Sequence, residues 1–469
     1  MIQIQMTSQS YRWWLALLIG GLLCGILHAQ SYSVQQLENL RRGTPNDAWR
    51  SRYRPLPSVP TLIRSATVMT AAGAELAETD ILFRDGKIAA IGKGLSLPPG
   101  AVEKDGSGKF VTPGLIDSHS HIGVSPTPEV AAHVDNNDTG STTPQLWIDH
   151  GIWPQGPGFS RALAGGVTAA LLLPGSGDLI EGRGVAVKLV PARTPQEMIF
   201  PAAPHSLKMA CGENPKRGSG FPDTRMGNVA GYRQAFLGAL KYRSEWDEWL
   251  ASPEGDPPAR DLAKETLAEA LRGNILLQVH CYRADDITSI LELAQEFELQ
   301  IRSFHHGVGA YKVRDYLARH GAASSVWSDR WGFKMEAFDG ILQNAALLTE
   351  AGATAVIHSD SDLGIQILNQ DAAKAFYSGV QVGIQISRDQ ALRWITANPA
   401  WVLGVDDRVG TLELGKNADV VLWSGDPFSV YSRAEQVWID GALVYDYADP
   451  KYQPLSDFEL GNRVRGDGQ

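Results

Sequence analysis

The chain has 469 residues, of which 43% are hydrophobic and 20% are charged, a composition typical of globular proteins. This length exceeds that of one small domain and suits a large barrel with a smaller accessory domain. A formal net charge of -10 argues against nucleic acid as a partner, because an acidic surface repels the phosphate backbone.

A continuous apolar run occupies Trp13–Leu27 near the N-terminus, directly after Arg12. The run is shorter than the roughly 20 residues that a membrane-spanning helix needs. A basic start, an apolar centre and the small residue Ala29 predict a secretory signal peptide over residues 1–29. We therefore expect a secreted or periplasmic protein without stable membrane insertion after signal removal, and a retained N-terminal anchor is the alternative.

Three cysteines occur, and Cys24 would leave with the signal peptide. Cys211 and Cys281 remain, and two cysteines in a chain of this length do not form a disulfide framework. We expect two buried, reduced thiols. A single disulfide is the alternative if the two side chains meet in space.

The sequence pattern at both ends of the mature chain is typical of β-strands and turns. Residues 59–112 and 406–447 consist of short β-branched runs broken by glycine and aspartate. Each contains an Asp-Gly hairpin signal, at Asp85 and at Asp440. We predict one small β-sandwich domain assembled from these two segments. An exposed N-terminal arm and a C-terminal tail are predicted at residues 30–58 and 448–469.

The middle of the chain, residues 113–405, alternates strand-like and helix-like segments. Apolar strand-like runs lie at residues 114–121, 166–174, 184–190, 205–211, 275–281, 299–306, 323–329 and 353–360. Helix-like segments such as 286–298 repeat apolar residues with a period near 3.6. This alternation predicts parallel βαβ units, and eight of them give an α/β fold of the TIM-like (β/α)8 barrel type.

Metal-capable side chains stand at the ends of several of these runs. His119 and His121 are two residues apart, so on a strand both point to one side. Other strand ends carry Lys208, His280, the pair His305-His306, and Asp360. Because the active sites of such barrels lie at the C-terminal strand ends, we expect these side chains to converge. The histidines left outside this set are His28, His133, His150, His205, His320 and His358.

Imidazole and carboxylate ligands suit zinc, with manganese, iron or cobalt as alternatives. Four histidines and one aspartate are more ligands than one tetrahedral ion needs, so we expect two divalent ions. A lysine in a desolvated site loses its proton readily and can add carbon dioxide to become a bridging carbamate. A hydroxide held between the ions would then attack a carbonyl, with Asp360 as the general acid and base.

Three motifs, GKFVTPGLIDSHSHIG, TANPAWVLG and GTLELGKNADVVLW, resemble those of the amidohydrolase superfamily, in its imidazolonepropionase-like and metal-dependent prolidase-like branch. The resemblance covers residues 60–447. It implies a metal-binding TIM-like barrel with a β-sandwich built from both ends of the chain. The implied metal ligands are His119, His121, Lys208, His280, His306 and Asp360. The rival candidates are Lys188, His305 and Asp362, for Lys208, His306 and Asp360 respectively.

The leading functional hypothesis is an exported, metal-dependent hydrolase of C–N bonds in small substrates, with linear amides or dipeptides favoured. A ring-opening cyclic-amide hydrolase or a deaminase is the alternative, and a catalytically silent binding protein represents a different class. A homo-oligomer is a possibility that the sequence leaves open.

About 40 extra residues separate Lys208 from His280. Extra length of this kind, at the C-terminal face of a barrel, is where such proteins build substrate specificity. Candidate substrate-binding residues in that segment are Arg217, Arg225 and Tyr232, and candidates for the pocket wall after the seventh strand are Trp331 and Lys334.

Overall fold

The computed structural model describes residues 51–125, 131–136, 140, 142–216 and 220–452. The predicted signal peptide and most of the predicted arm and of the predicted tail fall outside these ranges. Among the residues that are described, no helix combines the length and the apolar character that a membrane crossing requires.

Strands and helices alternate through most of the described chain. The strands are β1 Thr61–Val68, β2 Leu76–Arg84, β3 Lys87–Gly92, β4 Val102–Asp105, β5 Phe110–Pro113, β6 Leu115–Ser120, β7 Val167–Leu172, β8 Ile180–Lys188, β9 Ser206–Ala210, β10 Leu276–Cys281, β11 Ile301–His306, β12 Ala323–Val326, β13 Ala355–Ile357, β14 Val420–Trp423, β15 Ala434–Ile439 and β16 Ala442–Asp446. The α-helices are α1 Pro157–Ala164, α2 Arg225–Ala251, α3 Leu262–Leu271, α4 Ala284–Glu296, α5 Arg314–His320, α6 Asn344–Glu350, α7 Leu368–Gln381, α8 Arg388–Arg393 and α9 Ala397–Leu403.

One mixed sheet combines strands from both ends of the chain, in the order β16-β15-β14-β5-β1-β2-β3, with β4 paired to β1. Asp85-Gly86 joins β2 to β3, and Asp440-Gly441 joins β15 to β16. All four of these residues have positive φ, between +48° and +74°. Both central positions of a type I′ hairpin turn require this conformation, so the two predicted Asp-Gly turns are confirmed.

The second sheet is a near-closed barrel in the order β13-β12-β11-β10-β9-β8-β7-β6. Its strands are short and buried, and all six residues of β7 are inaccessible, as expected for strands covered on both faces. Asp360 N donates to His119 O at 3.1 Å, which links the segment after β13 back to β6. The predicted fold class, an α/β barrel beside a separate β unit drawn from both ends, is confirmed.

The direction of the third barrel strand differs from the prediction. β8 runs antiparallel to both β7 and β9, whereas all eight strands were expected to be parallel. Only residues 173–179 connect β7 to β8. A parallel crossover needs a dozen or more residues, so this short glycine-containing link can form only a hairpin. The end of β8 therefore lies at the opposite end of the barrel from the ends of its neighbours.

The two cysteines are bonded to each other, contrary to the expectation of reduced thiols. Cys211 directly follows β9 and Cys281 ends the neighbouring strand β10, with a Cα–Cα distance of 5.2 Å. Adjacent strands brought the two residues together across 70 positions of sequence. Strand pairing of this kind cannot be read from the spacing of two cysteines.

Candidate metal centre

The C-terminal ends of five barrel strands meet in one cluster. His119 lies on β6, Lys208 on β9, His280 on β10 and His306 on β11, and Asp360 follows β13. The four residues on the strands are at most 2% exposed. The structure thus brings together five of the six ligand positions that the strand ends predicted.

The sixth residue, His121, completes a set of close donor atoms. Its Nε2 lies 3.2 Å from Asp360 Oδ1 and 3.3 Å from His119 Nε2. His119 Nε2 is in turn 3.5 Å from Asp360 Oδ1 and 3.2 Å from Lys208 Nζ. Ligands around a tetrahedral zinc ion with bonds of about 2.0–2.1 Å stand about 3.3 Å apart. These side chains therefore fit one divalent ion.

A second group of imidazoles adjoins the first. The rings of His280 and His306 have centroids 4.6 Å apart, and His306 Nδ1 is 3.7 Å from Asp360 Oδ2. Among the described residues, the two ring nitrogens of His280 have no hydrogen-bond partner, and Nδ1 of His306 has none either. Leaving buried polar atoms unpaired is costly. A metal ion would satisfy these nitrogens, so the donor set also fits a second ion.

Burial sets the protonation of the cluster. It holds the pKa values of His119, His280 and His306 well below the ordinary histidine value. It also lowers the pKa of Lys208 to about 8, against the opposing charge of Asp360. Burial alone would raise the pKa of Asp360, but the hydrogen bond and the charge of His121 lower it overall. Neutral imidazoles beside an ionised carboxylate are the forms that bind metal.

Two of these residues have an unusual backbone conformation. His306 has φ +72° and Asp360 has φ +48°, in the left-handed region that residues other than glycine rarely adopt. Such conformations persist where the surrounding structure enforces them, and they concentrate at functional sites. Asp117 supports this arrangement, since it accepts hydrogen bonds from the backbone N–H groups of His119 and Ser359 at 3.2 and 3.1 Å. This carboxylate joins β6 to the segment that carries Asp360.

The rival ligand candidates have other partners. Lys188 ends the antiparallel strand β8, away from the cluster, and lies 2.7 Å from Asp440 and 3.3 Å from Asp419. Asp362 pairs with Arg161. His305 Nε2 lies 2.8 Å from Gln278 Oε1. The direction of β8 and these contacts favour Lys208, Asp360 and His306 over their rivals.

His358 was set aside on sequence grounds, yet the structure places it beside the cluster. It is 1% exposed, and its ring centroid is 5.4 Å from that of His119 and 5.0 Å from that of His306. One nitrogen from each of these three rings lies within 4.8 Å of the others. The signal that sequence reasoning missed is the His-x-Asp spacing of His358 and Asp360, which matches the His-x-His spacing on β6.

The structure does not support all of the predicted substrate-binding residues. Arg217 lies outside the described residues. Tyr232 is fully buried, and its hydroxyl is within hydrogen-bond distance of the carbonyl oxygens of Leu179 and Ala210, so the prediction that it binds substrate is wrong. No secondary structure was predicted for the extra segment that contains this residue, so the sequence did not show that Tyr232 belongs to a long helix, α2, whose inner face packs on the barrel.

Arg225 already has two carboxylate partners. Its Nε lies 3.0 Å from both carboxylate oxygens of Asp286, and its Nη2 contacts Glu336. Both carboxylates are buried, and Glu336 belongs to the loop between β12 and α6. Arg225 therefore fixes that loop to the barrel, and this pairing occupies the guanidinium that was predicted to bind a substrate carboxylate.

The same loop contains Trp331 and Lys334, the two candidates for the pocket wall. Lys334 Nζ is 3.1 Å from Glu213 and 2.6 Å from Asn214 Oδ1, so it too joins the loop to the segment after β9. Trp331 is 37% exposed. An aromatic ring that does lie beside the cluster is that of Trp327, whose centroid is 4.5 Å from that of His306. Sequence reasoning did not select Trp327.

Comparison with known proteins indicates which family the chain resembles. A profile described as Amidohydrolase family matches residues 247–445. The amidohydrolase tasK of Hapsidospora irregularis is 32% identical over 86% of this chain. The chain spans 45% of the length of that relative. The D-hydantoinase of Ralstonia pickettii is 26% identical, with 86% of this chain matching 92% of that protein.

A solved structure gives a match over its whole length. The crystal structure of an amidohydrolase from Thermotoga maritima MSB8 is 33% identical, with a TM-score of 0.76. The match covers 82% of this chain and 100% of that protein. With its motifs, its barrel and this relative of 33% identity, this chain belongs to the amidohydrolase family.

Proposed function

We propose that the protein is a metal-dependent hydrolase of C–N bonds in small amide substrates. The observation that carries the proposal is the convergence of His119, His121 and Asp360, with donor atoms 3.2–3.5 Å apart at the mouth of the barrel. Substrate can reach this point, because the side chains of His121 and Asp360 remain about one fifth exposed. Family membership is consistent with the proposed chemistry.

His119, His121 and Asp360 would hold one ion, and His280 with His306 would hold the other. Zinc is the first choice, with manganese, iron or cobalt as alternatives. Bound divalent ions lower the pKa of water and polarise a carbonyl oxygen. Lys208 is fully buried with its Nζ 3.2 Å from His119 Nε2, and a carbamate on this Nζ would supply a shared carboxylate. The amine adds to carbon dioxide and releases one proton when the carbamate forms.

Asp360 is proposed as the general acid and base. Its Oδ1 faces the two imidazoles of β6, while Oδ2 faces His306. Asp360 accepts a proton from the attacking water and delivers it to the leaving nitrogen, so the carboxylate ends the cycle as it began. The hydrogen bond between Asp117 and Ser359 N fixes the backbone next to Asp360 and so orients its carboxylate.

Linear amides and dipeptides are our first choice of substrate, with cyclic amides as the second candidate. The similarity to a D-hydantoinase over most of both chains favours the cyclic candidate. Both classes present a carbonyl carbon bonded to nitrogen, so the same attack by water and the same proton transfer by Asp360 would serve either.

We also propose that the protein acts outside the cytosol. The apolar run at Trp13–Leu27 supports export. The Cys211–Cys281 disulfide adds independent support, since disulfides persist in oxidising compartments and are rare in the cytosol. N-terminal sequencing of the mature protein tests this proposal. A first residue of Gln30 agrees with it, and an intact Met1 in a protein recovered from the cytosol contradicts it.

A substrate panel with metal control tests the proposed activity. Purified protein is treated with a chelator, reloaded with zinc, and offered Xaa-Pro dipeptides, N-acyl amino acids and hydantoins. We expect turnover that disappears with the chelator and returns with zinc. Hydrolysis of hydantoins alone would select the cyclic candidate. Binding of zinc without turnover of any of the three classes would favour the catalytically silent binding protein.

A further inference from the structure

Three aromatic side chains form a continuous wall from the imidazole of His306 to the solvent. Tyr282, Trp327 and Phe333 have ring centroids 5.8–6.3 Å from one another. At the inner end, the ring of Trp327 lies 4.5 Å from that of His306, and the ring of Tyr282 lies 5.4 Å from it. Exposure rises along this wall, from 5% at Tyr282 to 60% at Phe333.

Polar contacts, rather than these rings, hold the loop in place. Residues 327–343 connect β12 to α6. Ion pairs join this loop to three other segments of the barrel mouth, through Lys334–Glu213, Glu336–Arg225 and Asp339–Lys312. An outward-facing phenylalanine is therefore not needed to anchor the loop.

Phe333 nevertheless occupies a fixed position. It lies between Gly332, which has φ +78° and whose N–H donates to Ala337 O at 2.7 Å, and the anchored residue Lys334. A large apolar side chain that is held in place at the outer end of such a wall, and left uncovered, is a preformed contact for a ligand. Its ring can stack on an aromatic group without the cost of ordering a loop.

We infer that this aromatic wall selects substrates that carry an aromatic or large apolar side chain next to the scissile C–N bond. The inference rests on the proposed function, because the wall adjoins the imidazoles assigned to the metal centre. The substituent lies against Trp327 and Phe333 while the amide is held at Asp360. A substrate with a methyl group in that place leaves Phe333 uncovered and gains nothing from the wall.

The chain offers a matched control for the test. Phe333 and Phe338 are both exposed phenylalanines of the same loop, at 60% and 70%. Phe333 contacts the rings of Tyr282 and Trp327, and Phe338 has no ring contact among the described residues. Phe333→Ala and Phe338→Ala therefore remove the same phenyl group from the same loop. Only Phe333→Ala takes a ring out of the aromatic wall.

Binding is measured first, without turnover, in the zinc-loaded full chain with Asp360→Asn. The probes are two pairs, N-acetyl-L-phenylalanine with N-acetyl-L-alanine, and L-phenylalanyl-L-proline with L-alanyl-L-proline. We expect the phenyl member of at least one pair to bind about tenfold more tightly, as one aromatic contact provides. Phe333→Ala should remove most of that difference and Phe338→Ala should leave it intact.

Two results overturn the inference. One is equal binding of both members in both pairs, and the other is a preference that survives Phe333→Ala or is lost equally in Phe338→Ala. Turnover by the chain with Asp360 intact is measured separately. A phenyl preference that depends on Phe333, in a protein that hydrolyses neither pair, would leave the wall standing and would count against the proposed linear-amide activity.

Discussion

Nζ of Lys208 lies 3.2 Å from Nε2 of His119, and the same amine donates to the carbonyl oxygen of Pro174 at 3.0 Å. A fully buried lysine next to a neutral imidazole has few other uses in a barrel core. This contact places the amine beside an imidazole of the first group, and, besides burial, the charge of Lys208 helps to lower the pKa values of His280 and His306 in the second. A carbamate on this amine would connect the two groups.

Replacing Lys208 tests this role. Lys208→Gln keeps most of the side-chain length but has no amine to take up carbon dioxide. We expect the metal content to fall from two ions per chain to one or fewer, and turnover to fall on the order of 100-fold or more. Metal analysis by mass spectrometry, with activity measured alongside, checks this. A variant that retains two ions and full turnover would exclude the bridge.

Lys188 has a structural role at the other end of the barrel. It is 1% exposed and lies between Asp419 and Asp440 of the β unit. Removing one partner of a buried ion pair leaves uncompensated charge, so Lys188→Met should lower the free energy of unfolding by about 3 kcal/mol. Urea unfolding measures the loss. The kcat of the folded fraction should stay near that of the wild type, and a selective loss of turnover would bring Lys188 back as a ligand candidate.

The disulfide makes a separate contribution to stability. Cys211 and Cys281 close a long loop and hold together the two strands that carry Lys208 and His280. Loop-closure entropy predicts that reduction costs about 4 kcal/mol. Thermal unfolding with and without a reductant should show a large shift in the wild type. The double variant Cys211→Ser/Cys281→Ser should show none, and a wild type indifferent to the reductant would contradict the bond.

Stability should fall in acid. Burial, with the charge of Arg183, lowers the pKa of His205 to about 4, so this imidazole is neutral when folded and protonated when unfolded at intermediate pH. A depressed histidine pKa means that the stabilisation is present above the unfolded value of about 6.5 and is lost as the pH falls towards 4. Since His205 is partly exposed, we expect a loss of about 2 kcal/mol from it.

Unfolding of the chelated protein between pH 7 and pH 4 measures this effect. His205→Gln should flatten the pH dependence, because the glutamine binds no proton in either state. His133→Gln, at an exposed histidine, is the matched control for the substitution itself. An unchanged slope in His205→Gln would show that other groups account for the acid sensitivity.

The sequence predicted those parts of the molecule that short-range patterns control. His119 and His121 share a strand face because alternation is a local rule, and the hairpin at Asp85 follows from its two turn residues. The direction of β8 was wrong because a strand-like run looks the same in either direction, and the short connection before it was not weighed. Tyr232 was misassigned for a related reason, since only packing shows which face of a helix is buried.

Long-range contacts explain the other differences. Arg225 was expected to meet a substrate, but its carboxylate partners Asp286 and Glu336 come from segments 61 and 111 residues away. Cys211 and Cys281 meet through the pairing of two strands rather than through any local signal. His358, by contrast, could have been found, because it stands two residues before Asp360 on the same strand end.

The proposed chemistry depends on Asp360 more than on any other residue. Asp360→Asn keeps the size of the side chain and removes the group that accepts the proton, while Asp362→Asn, at the carboxylate paired with Arg161, is the matched control. We predict that Asp360→Asn lowers kcat on the order of 1000-fold while most of the metal stays bound, and that Asp362→Asn changes kcat little. An Asp360→Asn enzyme that binds metal and turns over at the wild-type rate would contradict the account.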